Sequence, residues 1–211
     1  MDRWGLAVEG PELSFEQVFG QVFDTVSGAA VDVVLDIGFG GGEALIEVAE
    51  LRPHECVIGI DVHTPGVAAV LEAIEARGLH NVRVVEGDVI DFADRIPARS
   101  LAAIRVFFPD PWPKRRQRKR RLIRPDVVVP LAQLLRDGGA MHMATDSADY
   151  ADQMREVCDA QQSLTGGVIE RPSWRPITRF ERRAVDEGHR AVELFYSESP
   201  SSPSASSSAP M

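Results

Sequence analysis

Cysteine is nearly absent: Cys56 and Cys158 are the two in a chain of 211 residues. That excludes a disulfide scaffold and a four-ligand zinc site, and both thiols fall in apolar-periodic stretches that suit burial. No apolar run approaches the roughly 20 residues of a membrane helix, so a spanning protein and a membrane partner are excluded. No basic segment followed by an apolar block opens the sequence, so no secretory leader is expected and a reducing cytoplasm fits best. Internal repeats are missing too. What is there, 44% hydrophobic and 26% charged residues, is the composition of one soluble globular domain with a sizeable core.

Positive charge is scarce overall, with a net charge of −9, yet it is not spread evenly. The stretch 114–124, KRRQRKRRLIR, holds eight cations and no acid, which leaves −17 on the rest of the chain. An acidic body with one concentrated basic patch points to a local polyanion contact, while the body repels non-specific binding. Read blandly, such a run is only a solvated face.

Phe15, Phe19 and Phe23 recur at four-residue spacing with Val18, Val22 and Val26 beside them, which predicts an amphipathic helix within an N-terminal helical segment, residues 1–30. Short apolar runs at 31–36, 56–61, 82–85, 103–108 and 140–144 then alternate with helical patterns near 42–51, 65–77, 126–136 and 147–161. Pro125 suits a helix start, and Pro130 should kink or shorten that helix. The alternation implies right-handed crossovers and an α/β fold: an open, mostly parallel sheet, helices on both faces, spanning 31–196. HRAVELFY (189–196) predicts a last, antiparallel edge strand. Residues 197–211, rich in Ser and Pro, read as a disordered tail.

After the first strand comes Asp36-Ile37-Gly38-Phe39-Gly40-Gly41-Gly42. Gly38, Gly40 and Gly42 allow a sharp turn and a close ligand approach. The dinucleotide fingerprint would need glycine at 43, where Glu43 stands, and that charge sits badly against a pyrophosphate. The pattern suits S-adenosylmethionine (SAM) instead, a cation without phosphate. Asp61, ending the second strand, is placed to take ribose hydroxyls, and Asp88, after the third, to contact an adenine edge. Singly each acid reads as a solvated strand end; together they favour a nucleoside site.

The loop after the fourth strand, FFPDPWPKRRQRKRR (107–121), carries Pro109, Pro111 and Pro113 around Asp110. Three fixed φ angles make it stiff, and a rigid acid at the crevice of an α/β sheet favours function over a plain loop. This segment resembles the signature of bacterial tRNA (guanine-N7-)-methyltransferases. The resemblance runs from about Val31 to Phe195, through DIGFGGG, GIDVHTPGV, HMATDSADYA, RPITRFERRA and GHRAVELFY. It implies a class I, Rossmann-like SAM-dependent methyltransferase acting on N7 of guanine 46 in the tRNA variable loop. By that resemblance Asp36, Asp61, Asp88 and Asp110 contact SAM, and Asp110 also holds the catalytic position. Lys114, Asp146, Thr178, Arg179, Phe180 and Glu181 match substrate-binding positions. Arg116, Arg118, Lys119, Arg120 and Arg121 match the RNA-contacting run. Asp36 and Asp61 stand where relatives often carry Glu, and Arg179 where Lys is usual.

Guanine N7 is a lone pair with no proton to lose, so the chemistry needs alignment and stabilisation of a growing ring cation rather than a base. Asp110 is expected to act electrostatically, Asp146 to take the guanine N1–H and N2–H, and Trp112 to stack a base or anchor its loop. The histidines, among them His63, His142 and His189, have no partner at metal spacing, and no metal is expected. A small-molecule methyltransferase and a non-catalytic RNA-binding protein with a decayed SAM site are the competing readings. Both a monomer and a homodimer are compatible with the sequence.

Overall fold

The computed structural model describes residues 4–25, 31–178, 181–182, 188 and 190–199. Eight strands form one sheet: β1 (Gly5–Leu6), β2 (Asp32–Ile37), β3 (Glu55–Asp61), β4 (Val82–Glu86), β5 (Leu101–Phe107), β6 (Leu135–Thr145), β7 (Leu164–Ile169) and β8 (Val192–Glu198). Their order is β1-β4-β3-β2-β5-β6-β8-β7, parallel from β1 to β6 and antiparallel where β8 meets β6 and β7. The strand order reverses beside β2, the switch point at which open α/β sheets bind ligands.

The expected strands and helices are present, since residues such as Val34, Leu35, Ile58 and Ile60 are buried whichever face they point to. Helices α1 (Phe15–Thr25), α4 (Val89–Ala93), α5 (Pro125–Leu134) and α6 (Ala148–Asp159) pack on one face, where Phe19, Phe92, Leu131 and Met154 meet Leu35, Ile58 and Ile104. On the other face α2 (Glu43–Leu51) and α3 (Thr64–Arg77) set Ile46, Val67, Val70 and Ile74 against Val57 and Val84. Each such fully buried side chain contributes about 1.5–3 kcal/mol by area. Helix α3 begins with Pro65 in its first turn and ends at Gly78, whose φ of 63° lets its N–H reach back to Glu75 and Ile74 carbonyls. Helix α5 continues through Pro130 but stops at Leu134, shorter than the expected 136. Burial pushes both Cys56 and Cys158 up to about 12, so the thiols are inert packing groups.

Three features depart from the sequence reading. Residues 5–6 pair with β4, so the N-terminal segment carries a strand as well as a helix. Strand β7, whose two glycines hide its pattern, takes the sheet edge outside β8. Ser197 to Ser199, expected in the tail, are held at the sheet instead, because Ser197 pairs with Ala140 and Thr165 and Ser199 N–H bonds Ser163 O at 2.7 Å. A strand held from both sides tolerates polar side chains. Residues 200–211 of the expected tail, and His189, lie outside the described residues.

Candidate active site

At the carboxyl ends of β2 to β6 lies a cleft of about 750 Å³, lined among others by Asp36, Asp61, Asp88, Asp110 and Asp146. That is ample for a nucleoside-sized ligand. One wall is built from main chain. Gly38, Gly40 and Gly42 have φ of 76°, 59° and 76°, the left-handed region that a side chain resists. Asp61 fixes their turn: one carboxylate oxygen accepts from Gly40 N–H at 2.6 Å, the other from His63 N–H at 2.8 Å. Gly66 completes the packing, since a Cβ there would stand 1.9 Å from Gly40 O.

Asp36 differs from the other acids. It lies within β2 rather than at its tip and is buried; that burial raises its pKa to about 6, with Glu55 and Asp61 adding to the rise and Arg105 opposing it. A buried carboxyl whose ionised form is penalised by burial is poised to receive a cation, which fits the ammonium or sulfonium of SAM and would be a liability beneath a phosphate. Asp88 caps α4 through Ile90 N–H at 2.9 Å, so it serves the helix while facing the cleft.

The opposite wall rises from the Pro-rich loop. Phe108 (φ 54°) and Trp112 (φ 41°) are left-handed residues on either side of Asp110, a strained backbone of the kind that marks functional loops. Phe108 N–H bonds Ala144 O at 2.8 Å, tying the loop to β6, which ends just before Asp146. Asp110 and Asp146 are exposed at the cleft, and Thr178 reaches it from the segment crossing the sheet.

The basic run forms a 3₁₀ helix over Arg115–Arg120, and its members have separate fates. Arg120 lines the cleft with its guanidinium 5.0 Å above the Trp112 ring. Lys114, Arg116 and Lys119 are exposed away from the cleft lining, and Arg118 pairs with Asp149 at 2.7 Å. Arg121 corrects the expectation of an RNA contact. It is fully buried, donating to Pro111 O and Gln153 Oε1 at 2.7 Å each and pairing with Asp149, over the Tyr150 ring. It fastens the loop to α6 and is out of reach of a phosphate. Glu181 likewise turns inward: both its oxygens bond Arg175. Arg179 and Phe180 lie outside the described residues.

Sequence reasoning passed over Arg105, Glu193 and Glu55, which with His142 form a buried polar strip across the strands, Trp174 lying against Arg105. Their signal was present, as charged residues interrupting apolar strands. Among the described residues, no group of acids, histidines and cysteines is arranged to hold a metal, and no helix is long and apolar enough to cross a membrane.

A family model described as "Putative methyltransferase" matches residues 30–194. The tRNA (guanine-N(7)-)-methyltransferase of Streptomyces avermitilis is 41% identical over 92% of this chain, which spans 66% of that relative. The enzyme of the same name from Aeromonas hydrophila is 43% identical over 92% of this chain and 89% of its own length. Among solved structures, the aminoglycoside resistance methyltransferase NpmB1 superposes with a TM-score of 0.54 at 19% identity, covering 89% of this chain and 94% of that one. At that identity the likeness is one of fold, the class I methyltransferase sheet.

Proposed function

We infer the function from this premise: the chain belongs to the tRNA (guanine-N(7)-)-methyltransferase family. It is an enzyme that transfers a methyl group from SAM to N7 of guanine in tRNA. The acceptor is guanine 46 of the variable loop, and the work is done in the cytoplasm. One observation carries the reading for this chain: Arg120 belongs both to the basic run and to the cleft lining, so polyanion binding and cleft chemistry are one site. A small-molecule methyltransferase has no use for that continuity. A decayed RNA binder has none for a buried Asp36 and a glycine turn held by Asp61.

SAM supplies an electrophilic methyl on a sulfonium. Asp36 and the Gly38–Gly42 turn hold its charged end, Asp61 its ribose and Asp88 its adenine. Guanine N7 would attack the methyl carbon with its lone pair as the carbon–sulfur bond breaks; the electron pair of that bond stays on sulfur as a neutral thioether, and the ring takes the positive charge with no proton lost. Asp110, held between two prolines, stabilises that cation, and Asp146 takes N1–H and N2–H, a donor pair only guanine offers among the bases. The base must leave its stack to reach the cleft. Arg116, Arg118, Lys119 and Arg120, with Lys114 beside them, hold the backbone phosphates and position without specifying. Incubation with labelled SAM and unmodified tRNA, then borohydride–aniline cleavage, tests this. A cut at position 46 is expected, and methyl incorporation without a cut would refute N7 as the acceptor.

A further inference from the structure

The segment 170–178 crosses the sheet face over β5, β6 and β8, where Trp174 packs on Arg105 and His142 and Arg175 makes the buried ion contacts. Arg175 is fully buried, and its two terminal nitrogens each bond a Glu181 oxygen at 2.8 Å. It also pairs with Glu193 of β8, whose other oxygen meets His142 Nε2 of β6 at 2.7 Å. Its Cζ lies 5.4 and 5.5 Å from the ring centroids of Phe107 and Phe108, the residues leading into Pro109 and Asp110. Glu181 carries the linkage onward, because its N–H donates to Thr178 Oγ1 at 3.1 Å, and Thr178 lines the cleft.

An ion network this deep is a poor device for stability alone, since apolar side chains of equal volume usually serve as well or better. What an apolar residue does not supply is direction. The fork of Arg175 fixes Glu181, and its guanidinium carbon lies over the Phe107 and Phe108 rings.

We propose that Arg175 is a positioning residue that sets the Thr178 hydroxyl against the Asp110 loop, with Glu181 acting through Arg175 and Thr178 rather than on the substrate. The inference rests on the methyl-transfer reading above and adds to it the part that aligns the acceptor wall. Asp36, the Gly38–Gly42 turn, Asp61 and Asp88 hold SAM from the opposite wall, and Asp110 is the one SAM-contacting position on this side.

The experiment compares Arg175→Met, Glu181→Gln, Thr178→Val and the pair Arg175→Met with Thr178→Val, using the full chain and unmodified tRNA. Misalignment of about 1 Å costs on the order of 100-fold in rate, so a kcat loss near that size is expected in Arg175→Met and Glu181→Gln. Titrated SAM affinity should stay within about twofold and KM for tRNA within about threefold, a split that general unfolding would not produce. The double variant should be no slower than the worse single one, because both changes remove the same alignment. If Arg175→Met does not fold, the isosteric Glu181→Gln carries the same comparison. Wild-type kcat in folded variants, or rate losses that multiply in the double variant, would overturn the inference. An inactive wild-type chain would instead overturn the methyl-transfer reading, and the inference with it.

Discussion

On the nucleoside side of the cleft the chain takes its shape from glycines and main-chain hydrogen bonds gathered by Asp61, whereas on the acceptor side it is held by buried arginines. Gly38, Gly40, Gly42 and Gly66 act through what they lack: left-handed turns open to them and, at Gly42 and Gly66, room for Val70 and the Gly40 carbonyl. Arg121 and Arg175 act through long charged side chains that reach Asp149 on α6 and Glu193 on β8. The first kind of wall tolerates no added carbon; the second tolerates no lost charge.

Removing Arg121 should give the largest effect. Arg121→Ala leaves Pro111 O and Gln153 Oε1 without their donor and Asp149 with Arg118 alone, and a loss of about 2–3 kcal/mol is expected in denaturant unfolding. Lys119→Ala, one exposed cation two positions earlier, should change stability by less than about 0.5 kcal/mol. Equal losses in the two would dissolve the distinction drawn within the basic run.

On the other wall, Gly66→Ala places a carbon against the Gly40 carbonyl, a backbone atom that must move. About 1–3 kcal/mol of overpacking is expected. If the displaced turn is the binding surface proposed above, SAM affinity should drop at least tenfold, which calorimetry would show. An unchanged affinity would mean that the turn is scaffold only.

Asp36 supplies a pH test. Its pKa is raised from 3.8 to about 6, so between those values the folded chain binds the extra proton. Stability therefore falls as pH rises through that window, and the cost is fully present above about 6. Asp36→Asn should stabilise the free protein at neutral pH by about 1–2 kcal/mol, taking 1.36 kcal/mol per unit with allowance for the environment. A bound cation favours the ionised carboxylate, so wild-type SAM affinity should weaken as pH drops below about 6. The Asp36→Asn variant should bind weakly with a flat profile through that range. If the variant keeps the sloping profile of the wild type, the ionisation belongs to another group.

The smallest effect is one of degree. Substituting Arg116, Lys119 and Arg120 by Ala should lower the salt dependence of tRNA binding by roughly 0.7–0.9 per lost phosphate contact in the log–log slope, with SAM affinity intact. Filter binding across salt concentrations measures it, and an identical slope would leave the run without a role in binding.

The backbone-built wall was legible in the sequence for a physical reason: a strand, a glycine turn and a helix start are adjacent in the chain, so Asp36 to Gly42 could be read as a unit. The spacing of Asp61 and Asp88 followed from the alternation of strands. The ion-built wall was not legible in that way. Arg121 looks like its neighbours in KRRQRKRR, and only packing against α6 separates it from them. Glu181 looked like a ligand until Arg175 was seen to occupy both its oxygens. Strand β7 escaped because Gly166 and Gly167 interrupt its pattern; at Gly166 a Cβ would stand 1.9 Å from Phe195 O.

The place of β8 has a consequence for how the molecule is made. This strand, from residues 192–198, is inserted between β6 and β7, so the two earlier strands acquire their common partner only after both have been synthesised. On the ribosome the nucleoside wall, complete by residue 107, can assemble while the acceptor wall still waits for Glu193 to receive Arg175. Until then β6 presents a bare edge, open to pairing with another chain. Anything that shields this edge during synthesis would protect the half of the sheet that carries Arg175 and meets the Asp110 loop.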